Sequence, residues 1–254
     1  MQALAPQIAK NFRDQFRAGR ADALADTEGF SEILFPLERL GCFLTGKGLG
    51  LGQFREKLVC YSKHSPLATE IPNQHREFHT PFGTLFELVR EARNDALHQG
   101  AVARHLTMNA TILAIVLEDA LSTDLELVSD FMIPSPVCAE LWQPISFIRQ
   151  QMLLHSFSFL PFKQGDGKWH LVSDAQIASF ILSFDRKSPE RKSRLAMPLS
   201  DALTNGLKTD EAETLPPETP VSELANRIKN RPMLVCDSDV PHRLLGILTA
   251  FDLM

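Results

Sequence analysis

The sequence predicts an α+β protein with several domains, in which an all-α helical bundle is followed by two small α/β repeats. In the first half, apolar residues recur every three or four positions, which is the pattern of helices that pack together in a bundle. After residue 124, short apolar runs alternate with helical stretches, which is typical of compact α/β units. The length of 254 residues also exceeds that of most single domains, so we expect two or three domains.

The first predicted domain spans residues 1–124. Its apolar stripe is clear in four segments: FSEILFPLERLGCFL, GQFREKLVCYSKH, PFGTLFELVREARNDALH and AVARHLTMNATILAIVLEDAL. Gly100 is a natural stop for the third of these helices. The segment KHSPLATEIPNQHREFHTPFG contains several prolines and is interpreted as a long connection.

The second half divides into two predicted domains, residues 128–184 and 195–254, which the polar and basic linker DRKSPERKSR joins. Each has a helix that starts at a proline, an apolar strand, a polar hairpin, a second strand and a final helix opened by Ser or Thr. The segment PISFIRQQMLLHSFSFLPFKQGDGKWHLVSDAQI aligns with PVSELANRIKNRPMLVCDSDVPHRLLGILTAFDL in this order. We therefore predict an internal repeat with a period of roughly 60 residues.

Composition and charge exclude several classes of protein. The formal net charge of −5 is shared evenly between the two halves, so neither has the basic excess of a dedicated nucleic-acid binder. The four cysteines are scattered and predict reduced thiols, and His75 and His79 lie in a proline-flanked connection that does not suit a metal site. No apolar stretch reaches about 18 residues and no signal pattern opens the chain, so we predict a soluble, cytoplasmic protein without metal or membrane binding.

The two repeats resemble a tandem pair of cystathionine β-synthase (CBS) domains over residues 128–254, and VSDFMIPSPV resembles the segment that leads into such a pair. The resemblance implies a regulatory adenine nucleotide (AMP, ADP or ATP) in a cleft between the two repeats. In this family a Ser/Thr-x-x-Asp motif grips the nucleotide, with the hydroxyl toward a phosphate and the carboxylate toward the ribose. Thr249 and Asp252 have this spacing.

The first repeat departs from the family pattern. Ser173 is followed by Gln176 where the carboxylate belongs, and His170 stands where a glycine is usual. Because Gln offers the ribose no charge-assisted contact, we expect one good site per chain and a weak or empty site at Ser173. Both spacings are also those of a capping box, in which the side chains only satisfy amides at a helix start, and this alternative stays open.

Two further features of the second half are open to interpretation. Met152, Phe157, Phe159 and Phe162 are interpreted as core packing rather than as an aromatic ligand box. The basic residues of the linker are interpreted as solvated rather than as phosphate ligands. The chain stops at FDLM, soon after its last helix begins, which indicates either a piece of a longer protein or an unusually short terminal helix.

The stretch EARNDALHQG in the helical half contains Arg93, Asn94 and His98. At about 100° per residue, Asn94 and His98 share a helix face, whereas Arg93 lies about 140° from His98 and must bend round or meet a second chain. A helical bundle with Arg, a neighbouring polar residue and a following His resembles the HEPN family, many of whose members are metal-independent RNases.

The HEPN resemblance implies a homodimer in which two such motifs face each other and cleave single-stranded RNA. His98 would take the proton from a 2′-hydroxyl, Arg93 would stabilise the phosphate charge, and Asn94 would orient either group. Each residue also has a structural role open to it, at the helix end or on its apolar face.

Two functions therefore remain. The first is an adenine-nucleotide sensor whose CBS pair gates a dimeric RNase. The second is a non-enzymatic nucleotide-binding module whose bundle serves dimerisation or partner docking. The sequence leaves open whether the chain is an enzyme.

Overall fold

The computed structural model describes residues 4–26, 29–99, 104–182, 185, 187–240 and 242–254, without the side chains at 95–99 and 104–105. The chain is α+β. It divides into two compact units, Met1–Leu125 and Glu126–Met254. In the described residues the first unit contains helices alone, whereas the second combines helices with two mixed or antiparallel sheets.

The first unit is built from six α-helices and a single 3-10 turn at Pro66–Ala68, counted over its described residues. The α-helices are α1 (Pro6–Ala25), α2 (Phe30–Thr45), α3 (Leu51–Ser62), α4 (Glu70–Gln74), α5 (Phe82–Gln99) and α6 (Arg104–Ser122). The four predicted segments correspond to α2, α3, α5 and α6. The predicted connection between α3 and α5 contains α4, and the predicted stop at Gly100 lies outside the described residues.

The sequence did not predict α1 because its buried face is not a plain apolar stripe. That face includes Arg13 and Gly19 beside Phe16. At Gly19 an added Cβ would lie 2.3 Å from the main-chain oxygen of Glu32, so the residue allows α1 to approach α2 closely. A face that needs a glycine and accepts an arginine carries little hydrophobic signal.

A buried ion pair connects α1 with α6. Nε and Nη2 of Arg20 donate to the two carboxylate oxygens of Glu118, at 2.8 and 2.9 Å, and Nε of Arg17 lies 3.8 Å from the same carboxylate. Because Glu118 is buried, little water reaches its carboxylate to weaken the bidentate ion pair. Hydrogen bonding to Glu118 is the main cause that raises the pKa of Arg20.

The second unit contains five α-helices and seven strands in its described residues. They are α7 (Val128–Phe131), β1 (Ile133–Pro134), α8 (Ile145–His155), β2 (Phe159–Lys163), β3 (Trp169–Ser173), α9 (Asp174–Leu182), α10 (Pro189–Ala196), α11 (Leu199–Thr204), β4 (Asp210–Glu211), β5 (Thr214–Leu215), β6 (Met233–Cys236) and β7 (Leu244–Leu248). Two 3-10 helices lie at Val221–Leu224 and Ala250–Leu253.

The two repeats exchange edge strands. One sheet has the order β1-β7-β6-β5 and the other β2-β3-β4. Strand β1 comes from the first repeat but pairs with β7 of the second, and β4 comes from the second repeat but pairs with β3 of the first. Neither sheet is complete without a strand of the other repeat, so the two repeats form one folding unit.

The repeat period is longer than predicted. Pro144 precedes α8, and its counterpart Pro220 precedes the 3-10 helix Val221–Leu224. These prolines are farther apart than 60 residues because α10 lies between the repeats, and α11, β4 and β5 precede Pro220 in the second repeat. The segment VSELANRIKN, predicted as a helix, forms only the 3-10 turn, since Leu224 is its one buried side chain and Ile228 is exposed.

The basic linker contains a short helix. The side chain of Ser188 accepts a hydrogen bond from the amide of Arg191, and Pro189 occupies the first turn of α10. Arg194 donates to the main-chain oxygen of Phe180 at 2.7 Å, and its guanidinium lies 4.3 Å from the centre of the Phe180 ring. This part of the linker is therefore anchored to α9 rather than fully solvated, while Arg186 lies outside the described residues.

Candidate ligand cleft

A cleft of about 670 Å³ opens in the second unit where the two repeats meet. It is lined by residues from four segments, at positions 133–137, 156–161, 229–232 and 247–251. Its volume is within the range of sites for small organic ligands. The first two segments belong to the first repeat and the last two to the second, so the cleft depends on the exchange of strands.

One wall of the cleft is apolar. Ile133 and Ile247, which face each other across the β1–β7 pair, line it together with Phe157 and Phe159. The prediction that these aromatic residues pack in the core is correct for Phe162, which is fully buried, but wrong for Phe157, which is 39% exposed. Phe157 lies two residues before β2 begins, at the end of the strand that borders the cleft.

Another segment of the cleft lining, called the basic edge below, contains two cations. They are Lys229 and Arg231, with Asn230 between them. Lys229 belongs to VSELANRIKN, which was predicted as a helix, and Arg231 follows that segment. Cations for phosphate were expected in the linker instead. Two basic residues immediately before an apolar strand were the available signal.

Thr249 lines the cleft as predicted for a ligand residue, but Asp252 is used differently. The amide and Oγ1 of Thr249 both donate to Oδ2 of Asp252, at 2.7 and 2.8 Å. Asp252 is buried and is not among the described residues that line the cleft. The structure thus contains the capping box that was left as an alternative by the sequence, and Thr249 also lines the cleft.

In the first repeat, Ser173 and Gln176 form a second capping box. The amide of Gln176 donates to Oγ of Ser173 at 3.1 Å, and the amide of Ser173 donates to Oε1 of Gln176 at 2.8 Å. Ser173 is buried. Nε2 of Gln176 donates to Oδ2 of Asp210 at 2.8 Å. All these polar groups are satisfied internally, so Ser173 has a structural role here.

The glycine and histidine at corresponding positions of β7 and β3 have different surroundings. At Gly246 an added Cβ would lie 2.6 Å from Sδ of Met132, so β1 requires a glycine opposite it. The ring of His170 lies 5.6 Å from that of Phe162, and both imidazole nitrogens are buried without a hydrogen-bond partner. The His170 side chain therefore packs against Phe162 in the first repeat. At the corresponding position of the second repeat, Gly246 has no side chain, and Met132 and Ile133 lie close to it instead.

Of the three predicted catalytic residues, the structure describes the side chains of Arg93 and Asn94. Nη2 of Arg93 lies 2.9 Å from Oε1 of Glu38 in α2 of the same chain, and Asn94 is exposed. The side chain of His98 lies outside the described residues. Arg93 thus has a carboxylate partner within its own chain. The catalytic assignment of the three residues stays a prediction.

The sequence predicted neither a metal site nor a membrane-spanning segment. The described residues include no group of three or more His, Cys, Asp or Glu side chains placed to hold a metal ion. His75 follows the last residue of α4 and a turn separates it from His79, so the two do not share a helix face. No helix in the described part of the chain has the length and apolar character needed to cross a membrane.

Comparison with known proteins gives structural likenesses to CBS-domain proteins over about half of the chain. No protein-family model and no curated protein matches. A CBS-domain protein of unknown function from Bacillus anthracis is 18% identical, with a TM-score of 0.39 over 50% of this chain and 88% of that one. CBSX2, solved in complex with AMP, is 19% identical, with a TM-score of 0.38 over 50% and 91%. CbpB, solved in complex with c-di-AMP, is 12% identical, with a TM-score of 0.39 over 52% and 84%. The HEPN-like character of the helical unit stays a prediction.

Proposed function

We propose that this chain is a regulatory protein that binds an adenine nucleotide in the cleft of its second unit. The observation that carries the proposal is the division of the cleft into an apolar wall and a basic edge. Phe157, Phe159 and Ile247 offer a surface for a purine ring, and Lys229 and Arg231 offer cations for phosphate. A nucleotide has the same division between an apolar face and an anionic tail.

Thr249 is the proposed contact between these two regions. Because its hydroxyl donates to Asp252 and the capping box uses one lone pair of Oγ1, the other lone pair remains able to accept a hydrogen bond from a ribose hydroxyl. We assign Asp252 the role of holding Thr249 in this orientation, in place of the direct ribose contact that the sequence predicted. Ser173, the third predicted nucleotide-binding residue, has no contact with the ligand in this proposal.

The experiment measures the thermal midpoint of the full chain with AMP, ADP and ATP. A ligand at about 100 times its dissociation constant stabilises the folded state by roughly 2.7 kcal/mol, which gives a clear shift. Thr249→Val combined with Lys229→Ala is expected to abolish the shift. Ser173→Val is the matched control, because it removes the equivalent capping hydroxyl of the first repeat and lowers the midpoint without affecting the shift caused by nucleotide. An unchanged midpoint with every nucleotide would refute the proposal.

Of the two functions that the sequence left open, we favour the non-enzymatic one. The ion pair between Arg93 and Glu38 gives the arginine a structural partner within its own chain. A guanidinium already engaged by a carboxylate stabilises a transition-state phosphate less than an unpaired one does. The RNase activity on single-stranded RNA, and the homodimer that it requires, stay predictions that are tested separately below.

A further inference from the structure

Two successive contacts connect the basic edge of the cleft with the first repeat. Arg231 lines the cleft, and its Nη1 lies 2.9 Å from Oδ1 of Asp210 in β4. The other carboxylate oxygen of Asp210 accepts a hydrogen bond from Gln176 in α9. Because both oxygens have a partner, the carboxylate is held at a defined place beside the guanidinium.

The exchange of edge strands explains why a carboxylate lies at this position. β4 pairs with β3 as β1 pairs with β7, so Asp210, opposite Leu171, corresponds to Ile133, opposite Ile247. Ile133 contributes to the apolar wall of the cleft, whereas Asp210 contributes a negative charge beside Arg231. The two repeats therefore have an apolar side chain and a carboxylate at corresponding positions.

We propose that Arg231 selects cleft ligands by their phosphate charge, and that Asp210 sets the strength of this selection by competing for the same guanidinium. The inference rests on the proposed function, since it concerns the ligand of the same cleft. A guanidinium binds phosphate best through two parallel N–H groups, and a contact with Asp210 withholds one of its donors. A guanidinium freed from Asp210 gains more from a more highly charged phosphate group, so ATP should respond more than AMP.

The exposure of the ion pair sets the expected size of the effect. The side chains of Arg231 and Asp210 are 53% and 26% exposed. Pairs that are open to water change an equilibrium by about fivefold at most. Asp210→Asn is therefore expected to tighten ATP binding by about two- to fivefold, to tighten AMP binding by less, and to leave the affinity for adenosine unchanged.

The test measures the affinities of adenosine, AMP and ATP for the full chain by titration calorimetry. The proteins compared are the wild type, Asp210→Asn, Arg231→Ala and the double variant. Arg231→Ala is expected to weaken ATP binding and to leave adenosine binding unchanged. In that background Asp210→Asn no longer changes the affinity for ATP, because the guanidinium for which Asp210 competes is absent.

A matched control comes from a second ion pair of the same repeat. Nη2 of Arg227 lies 2.8 Å from Oε1 of Glu213, with similar side-chain exposures of 39% and 35%. Neither is among the described residues that line the cleft. Glu213→Gln removes a carboxylate without removing a competitor for Arg231, so all three affinities are expected to stay unchanged.

Three outcomes separate this inference from its alternatives. Equal tightening of adenosine and ATP in Asp210→Asn would overturn it, because the effect would then not depend on phosphate. Tightening that persists in the double variant would also overturn it. If Asp210→Asn does not fold, Asp210→Ser replaces it and the same changes in affinity are expected, because serine keeps a hydrogen-bonding group for Gln176. Binding of none of the three ligands to the wild type would refute the proposed function, and this inference with it.

Discussion

Gly246→Ala tests whether the exchanged strand β1 shapes the cleft. A Cβ at position 246 would lie 2.6 Å from Sδ and 2.9 Å from Cγ of Met132, and 3.0 Å from the main-chain oxygen of Ile133. Ordinary contacts between heavy atoms are about 3.5–4.0 Å. The Met132 side chain is flexible, but the oxygen of Ile133 belongs to β1, so the strand itself must move.

The cost of this movement is that of overpacking a buried site. We expect Gly246→Ala to lower the free energy of unfolding of the second unit by about 1–3 kcal/mol. The displaced strand carries Ile133, which lines the cleft, so nucleotide binding should also weaken. Adding Met132→Ala removes two of the three close contacts and is expected to restore part of the stability, leaving only the contact with the main-chain oxygen.

Urea unfolding of the full chain, followed by tryptophan fluorescence, measures this change. Both tryptophans of the chain, Trp142 and Trp169, lie in the second unit, so their emission reports that unit alone. Gly165→Ala is the control, because an added Cβ there meets nothing within 4 Å, and it should change the free energy by less than about 0.5 kcal/mol. An equal free energy of unfolding for Gly246→Ala and the wild type would show that β1 moves aside without loss of stability, and would refute the reasoning.

Two further predictions concern the first unit. Burial, with a smaller contribution from the charge of Asp124, raises the pKa of Tyr61 to about 12. Since the folded state keeps its proton where the unfolded state has lost it, stability of this unit should fall as pH rises from about 10 to about 12, and Tyr61→Phe should abolish that fall. Absorbance at the tyrosinate wavelength reports Tyr61 alone, because it is the only tyrosine in the chain. If Arg93 has a structural role, Arg93→Ala and Glu38→Gln should lower stability by similar, small amounts of less than about 1 kcal/mol, and neither should alter the fate of end-labelled single-stranded RNA in EDTA. Metal-independent cleavage by the wild type that Arg93→Ala or His98→Ala reduces at least about 100-fold, together with a dimer by light scattering, would establish the RNase instead.

Much of the helical unit could be predicted because its helices bury regular apolar stripes. α2, α3, α5 and α6 each repeat their buried positions at the helical period, and that period is a local property of the sequence. α1 escaped prediction because Gly19 and Arg13 contribute to its buried face. Their suitability depends on what lies opposite them, which no local pattern encodes.

The candidate site was predictable only where one motif was enough. Thr249 was found because the hydroxyl and the carboxylate are three positions apart in the chain. Lys229 and Arg231 were missed because they join the apolar residues in one cleft only after segments far apart in sequence meet. The roles of Asp252 and Ser173 depend on hydrogen bonds that the motif shares with ordinary helix caps, so spacing alone was unable to distinguish them.

The sequence by itself determined the change from helices to α/β repeats, the order of strand, hairpin and strand within each repeat, and the inequality of Asp252 and Gln176 between the repeats. These properties depend on residues within a few positions of one another, where the backbone period relates sequence directly to structure. Only the tertiary structure decided that β1 and β4 exchange sheets, that Arg93 pairs with Glu38, and that Asp210 lies beside Arg231. Each of these contacts joins segments far apart in the chain, and its geometry follows from how whole elements pack rather than from any pattern that a single segment carries.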